Sequence, residues 1–390
     1  MKRFCIAITG AFAMIAVLAS SSPESMTAQE KKDETKQKKD GPKGKSWEQL
    51  TTAAAAYLKS TQADDGSLSK TAHPGITAVV LNGMLKSGVI TADDPVATKG
   101  LKFIEGYVNS KEGHIAGQGD DFRHKFYTTS VNIQALKSSG LKKYDPVVEN
   151  AISYLRKGQV GGVDGKKDDD MNYGGFGYGP NTRGDLSNTH FALDASVAAG
   201  VARDDVIFKH ALVFVGRMQN FKSEANTQPW AGKINDGSFI YVLAAGNKGG
   251  ATDEVAARPG YGSMTYAGLK SLVYCGVGKD DPRYKKAMEW VSKNYSVDIN
   301  PGRQEGAGGQ GFYYYLVAMA RCFEAMGIDE ITDVNGKAHD WRADITRALA
   351  NRQKKDGSWS NDFATWMEGD PNLDTAYALI ALSHAKPKAK

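Results

Sequence analysis

From Trp47 onward the chain alternates two kinds of helical pattern. One kind is amphipathic. WEQLTTAAAAYLKS, GLKFIEGYV, VVENAISYLRKG, VIFKHALVFVGRM, YKKAMEWVSKNY and WRADITRALANRQ each set apolar residues at helical spacing against a charged face. In the first, Leu50, Ala53, Ala54, Tyr57 and Leu58 share a face; in the fourth, Val206, Ile207, His210, Val213 and Phe214 form the stripe. The other kind has almost no polar face and opens on a Thr or Tyr: Thr77 before AVVL, Thr129 before SVNI, Thr189 before HFAL, Thr265 before YAGL, Tyr315 before LVAM and Thr375 before AYAL. Such segments predict helices buried on most sides. The alternation predicts six helical hairpins, amphipathic helices outside and apolar helices inside, stacked around a shared core.

Punctuation along the chain fits this reading. Five inner helices are followed by glycine, at Gly88, Gly140, Gly200, Gly276 and Gly327. Glycine is the residue that takes the left-handed C′ conformation without a Cβ clash. Soon after come Asp94-Pro95, Asp145-Pro146, Asp204-Asp205 and Asp281-Pro282, which predict N-caps for the next outer helices. Neither end shows a polar capping repeat, so closure into a ring is expected over an open solenoid. The fold class expected is all-α, an α/α toroid of six hairpins. The outer-to-inner connections all fall on one end, and several are long and rich in Gly and aromatics, among them MNYGGFGYGPNTRGD, RPGYGSM and GAGGQGFYYY. Long connections of that kind mark the functional end of a compact domain.

Gln353-KKDG-Ser358-Trp359, a weaker copy at Gln62-ADDG-Ser67-Leu68, the GGFGYGP segment from Gly174 to Pro180, and GFYYYLVAMA together resemble the terpenoid cyclase and protein prenyltransferase superfamily. That resemblance implies an α/α toroid with a central cavity for an apolar, isoprenoid ligand. It does not carry the chemistry over. The cyclases of the protonating type use Asp-x-Asp-Asp-Thr; here the matches read Asp185-Leu186-Ser187-Asn188-Thr189 and Pro371-Asn372-Leu373-Asp374-Thr375. Ser187 stands where the acid belongs, and one Asp remains in the second copy. The prenyltransferases hold zinc with an Asp, a Cys and a His; the comparable helix starts here show Asn188, Ser263 and Thr265. No cofactor and no metal are expected.

The N-terminal residues fall outside the repeat. Residues 1–28 read as a signal peptide: a basic start, an apolar run from Phe4 to Ala19 and small residues after it. Export to a periplasm or extracellular space follows from that reading. Residues 29–46 read as a Lys-rich disordered linker, and 47–390 as the toroid. The net charge of +5 comes mostly from the leader (+1) and the linker (+3), leaving about +1 for the repeat region. Nothing in that balance points to nucleic acid. Membrane contact is not indicated, and the oligomeric state is left open. Cys275 and Cys322, in equivalent inner helices, read as buried thiols.

Asp374 is the candidate acid, with the alternative that it is a carboxylate placed at a helix N-terminus by the dipole. Tyr127, Phe176, Tyr178, Ser187, Asn188, Trp230, Tyr261, Tyr313 and Trp366 are the candidate substrate-binding residues; the aromatics also read as packing between loops. Six inner-helix N-termini at one end further suggest an anionic group there, a diphosphate or carboxylate. His190 reads as a packed core histidine. The expectation is an exported repeat protein that takes an apolar, isoprenoid molecule into its centre. The alternatives are a non-catalytic binding or interaction scaffold, and a carbohydrate-active α/α toroid with paired carboxylates in a cleft.

Overall fold

The structure is a computed structural model that describes residues 44–69, 73–117, 124–180, 182–243 and 258–388. The expected signal peptide and most of the Lys-rich linker lie outside the described residues. Gly44 to Lys390 form one unit. Its first described residues already serve the fold: Ser46 caps the first helix in a reciprocal capping box with Gln49.

Among the described residues the outer layer holds α1 (Trp47–Ser60), α3 (Pro95–Glu105), α5 (Asp145–Gly158), α7 (Val206–Arg217), α10 (Pro282–Asn294) and α12 (Trp341–Ala350). The inner layer holds α2 (Pro74–Lys86), α4 (Lys125–Ser138), α6 (Leu186–Ala198), α9 (Gly262–Tyr274), α11 (Phe312–Met326) and α13 (Pro371–His384). A short α8 (Ala231–Ile234) lies in the loop before α9. One hairpin of strands, β1 (Glu330–Thr332) and β2 (Ala338–Asp340), pairs antiparallel between α11 and α12.

The inner helices form a closed ring. Each packs on the next, and α13 packs back on α2. Closure at that seam depends on backbone proximity: a Cβ at Gly83 would stand 2.9 Å from the Ala376 carbonyl oxygen. The outer layer closes as well, since Gln353 after α12 donates to the Leu50 carbonyl of α1 at 2.9 Å. The layers follow from the sequence pattern. In α3 the buried positions are Ala97, Gly100, Leu101 and Ile104, one face at helical spacing, whereas α2 is buried continuously from Pro74 to Met84. On α7 the expected stripe is corrected: Val206 is 41% exposed, and the buried face is Ile207, Phe208, Ala211, Phe214 and Val215. All five C′ glycines are left-handed. Asp94, Asp205 and Asp281 cap their helices through the side chain. Asp145 does not; a 3-10 turn over Lys142–Tyr144 leads into α5, and Asp145 pairs with Lys137 at 3.0 Å.

One unit recurs at the outer-to-inner turns. Gln62, Gln159, Gln219 and Gln353 each donate to a carbonyl of their own loop and to a carbonyl near the start of the next outer helix. The loop residue facing that neighbour is Gly66, Gly174, Gly237 or Gly357, each at positive φ, where a Cβ would come within 2.4 Å of a carbonyl oxygen on the neighbouring helix. The motif therefore stitches adjacent hairpins together, and its QKKDGSW copy at Gln353 joins the last hairpin to the first.

Candidate functional site

The first turns of all six inner helices open on one cavity of about 290 Å³. Ile76 comes from α2, Tyr127 from α4, Ser187, Asn188 and Phe191 from α6, Ser263 and Met264 from α9, Tyr314 from α11, and Leu373 and Tyr377 from α13. The loops add His73, His124, Tyr178, Tyr241, Tyr261, Arg303, Trp366, Met367 and Glu368. Hub helices that start on the same rim make this convergence unavoidable.

Four rings form a circuit in the cavity wall. Tyr127 meets Phe191 edge-on with centroids 5.0 Å apart, Phe191 lies 5.9 Å from Tyr314, and Tyr314 lies 6.1 Å from Tyr377. Tyr377 and Tyr127 also interact with one another, which closes the circuit. Nearer solvent, Tyr178 hydrogen-bonds Tyr241 at 3.3 Å and packs on His124 at 4.8 Å. The Arg303 guanidinium lies 3.6 Å from the Tyr261 ring centroid and 4.7 Å from that of Trp366, in cation–π range of both. Trp366 and Met367 are 52% and 49% exposed and both take positive φ, 56° and 68°.

Of the residues singled out from sequence, Tyr127, Tyr178, Ser187, Asn188, Tyr261 and Trp366 line this cavity. Phe176, Trp230, Tyr313 and Asp374 do not. Phe176 is fully buried against Phe126 and plugs the turn before α6, as Leu68, Phe239 and Trp359 do in their own repeats. Trp230 is buried at the head of α8. Tyr313 turns away from the cavity against Phe312. Asp374 is fully buried on the first turn of α13, between two cavity residues in sequence but facing outward from the hub toward Asn361.

Asp374 Oδ2 accepts from the Asn361 amide at 2.6 Å, while Oδ1 is buried with no partner. Burial and the charge of Glu368 push its pKa up to about 9, so it is a neutral carboxylic acid at pH 7. Glu368 was not apparent from sequence, because it sits in an irregular turn with no spacing to mark it. It lines the cavity, yet both its oxygens are engaged: Oε1 accepts from the Tyr314 amide at 2.8 Å and Oε2 from Asn361 Nδ2 at 2.6 Å. Burial raises its pKa as well. Arg303 was missed for the same reason; the PGR turn that carries it reads as a plain loop.

The anion expected at the helix N-termini meets a chain that has already supplied acceptors. His73 Nδ1 caps α2, Asp185 caps α6, Asn300 Oδ1 receives the Ser263 amide of α9, Glu368 receives those of α11, and Asp370 caps α13. Five of six first turns thereby receive a side-chain acceptor, and in the sixth the Phe126 amide of α4 donates to the Tyr178 carbonyl at 3.0 Å. What remains is an aromatic chamber with few free polar groups.

No protein-family model and no curated protein matches the sequence. Solved structures do resemble it. An inactive variant of an α-1,6-mannanase from Salegentibacter, in complex with α-1,6-mannotriose, superposes with a TM-score of 0.58 at 11% identity, over 87% of this chain and 99% of that one. A type II terpene cyclase from Scytonema gives 0.52 at 13% identity, over 87% and 97%. A glycosidase gives 0.52 at 12% identity, over 87% and 96%. At such identities the likeness is one of fold, and the fold is the α/α toroid.

Proposed function

We propose that this chain is an exported binding protein of the terpenoid cyclase-like kind, whose hub cavity takes a short apolar molecule of the isoprenoid class. The observation that carries the reading is the lining. Eight aromatic side chains and four aliphatic ones surround a space at the lower end of the roughly 300–1,000 Å³ typical of small-molecule sites. Among the described lining residues Glu368 is the one carboxylate, and its oxygens are spent on the backbone of α11 and on Asn361.

Among the described residues, that arrangement favours an apolar ligand over the carbohydrate-active alternative that the mannanase and glycosidase neighbours support. Glycoside hydrolysis of the common kind needs two carboxyl groups facing the sugar. It also weighs against protonation of an alkene by Asp374. The acid holds a proton at neutral pH, but it does not face the cavity.

Calorimetric titration of the purified protein with geraniol and with α-1,6-mannotriose tests the reading. The expected result is binding of the alcohol, loss of that binding in Ile76→Trp, which fills the chamber, and no binding of the sugar. Binding or hydrolysis of the sugar, with no response to geraniol, would overturn it.

A further inference from the structure

A buried charge cluster lies against the cavity wall. Asp194, two turns into α6, accepts from Lys270 of α9 with both oxygens at 2.7 Å and from Arg321 of α11 at 2.7 Å. All three side chains are almost wholly buried. One turn before Asp194, His190 places Nδ1 3.2 Å from the Lys270 ammonium and Nε2 in hydrogen-bond contact with the Tyr314 hydroxyl. Tyr314 is a cavity residue.

This geometry fixes the direction of the hydrogen bonds. An ammonium group only donates, so Nδ1 must present its lone pair to Lys270. Asp194 lies farther from Nδ1, at 3.4 Å, and its oxygens already accept from Lys270 and Arg321. A proton on Nδ1 would also face the ammonium head-on. Burial, and then Lys270, pull the imidazole pKa down to about 4, so the ring is neutral and carries a single proton. That proton sits on Nε2 and is donated to the Tyr314 oxygen. The phenolic proton is then left for the other side. On that side lies the chamber, which Tyr314 and Ser187 both line.

We propose that Tyr314, held by His190 and the Lys270–Asp194 pair behind it, is a fixed hydrogen-bond donor to the bound molecule, which therefore carries an acceptor oxygen such as a carbonyl. The proposal rests on the hub cavity being a binding site for apolar molecules. His190 and Lys270 act as positioning residues; Tyr314 is the specificity-determining one. A chamber of this composition would hold a pure hydrocarbon and an oxygenated one by shape alone. The donor separates them, since a buried donor facing hydrocarbon is left unpaired.

The test uses a matched pair of probes, geranylacetone and the alkene in which its carbonyl oxygen is replaced by a methylene group. The expected result is that the full-length protein binds the ketone roughly tenfold more tightly than the alkene. Tyr314→Phe should weaken the ketone and relieve the unpaired-donor cost on the alkene, so that the two affinities converge. Equal binding of the two probes by the unaltered protein would overturn the donor assignment alone, as would a preference that survives Tyr314→Phe. Binding of neither would remove the cavity reading and the donor with it. A second measurement needs no variant. Nitrogen NMR of histidine-labelled protein should show His190 protonated on Nε2 and bare on Nδ1; the opposite tautomer would overturn the proposal.

Discussion

Thr189 Oγ1 accepts a hydrogen bond from the Phe176 amide at 3.0 Å, and four other repeats do the same: Leu68 to Thr77, Ile115 to Thr129, Phe239 to Thr265 and Trp359 to Thr375. The recurring Thr is thus a lock between the outer-to-inner turn and the inner helix, and the apolar residue it holds is a plug. At Thr189 both groups are fully buried, so Thr189→Val would leave a peptide N–H without a partner. The expected cost is about 1–3 kcal/mol by denaturant titration, while Thr189→Ser keeps most of the stability. Equal stability of the two variants would mean that the bond contributes nothing.

The same relationship separates the features that are legible in the sequence from those that are not. The two helix patterns, the C′ glycines and the Asp caps are local signals, and each reports on residues within a turn or two. They were enough to give hairpins, layers and a common rim. The repeated Thr was legible as a landmark, but its partner lies about a loop away, so its structural role was not. Phe176 reads from sequence as a ligand contact because an aromatic in a Gly-rich loop looks the same whether it plugs a turn or lines a chamber. The distinction is side-chain direction, which Phe176 and Tyr178, two residues apart, resolve in opposite ways. Glu368 and Arg303 were illegible because irregular turns carry no periodicity from which a facing direction can be inferred.

Asp374 makes stability depend on pH in a stated direction. Its pKa in the fold is about 9 against an ordinary value of 3.8, so between these limits the folded chain keeps a proton that the unfolded chain releases. Stability from this site is therefore fully present below 3.8 and is lost as pH rises toward about 9, with a limiting slope of about 1.4 kcal/mol per pH unit for one proton. Asp374→Asn, which can still accept from the Asn361 amide, should flatten this dependence. The variant is expected to match the parent near pH 4 and to exceed it in stability near pH 8. A variant that is less stable at pH 8 would show that the carboxylate, not the acid, is the native form.

Met367 tests whether the turn at the cavity mouth is strained. A non-glycine residue at φ 68° costs about 1 kcal/mol or more, and Met367 is half exposed, so little packing is lost on shortening it. Met367→Gly should leave overall stability unchanged or raise it by up to about 1 kcal/mol, although the extra freedom of glycine in the unfolded chain offsets part of the gain. Trp366→Gly should behave differently. That ring covers the Arg303 guanidinium, and its removal is expected to weaken retention of an apolar ligand in the titrations described above. Equal ligand affinity in Trp366→Gly and the unaltered protein would show that the indole is not part of the wall.

The cluster behind Tyr314 should respond very unequally to loss of its members. Among the described residues Asp194 is the one carboxylate paired with Lys270 and Arg321, two buried cations. Asp194→Asn would leave both without that counter-charge, and breaking a buried pair from one side typically costs about 3–5 kcal/mol. Lys270→Met is expected to cost less, because Arg321 still neutralises Asp194 and the methionine fills the apolar stem of the site. It should also free His190 Nδ1 to take the ring proton and donate to Asp194, turning Nε2 into an acceptor for the Tyr314 hydroxyl. Chemical denaturation measures the first difference and histidine nitrogen shifts the second. In the double variant Asp194→Leu with Lys270→Met the loss should be smaller than the sum of the singles, since neither change then strands its partner, though Arg321 still lacks its carboxylate. Additive losses would mean that the two groups do not form the coupled pair their 2.7 Å separation implies.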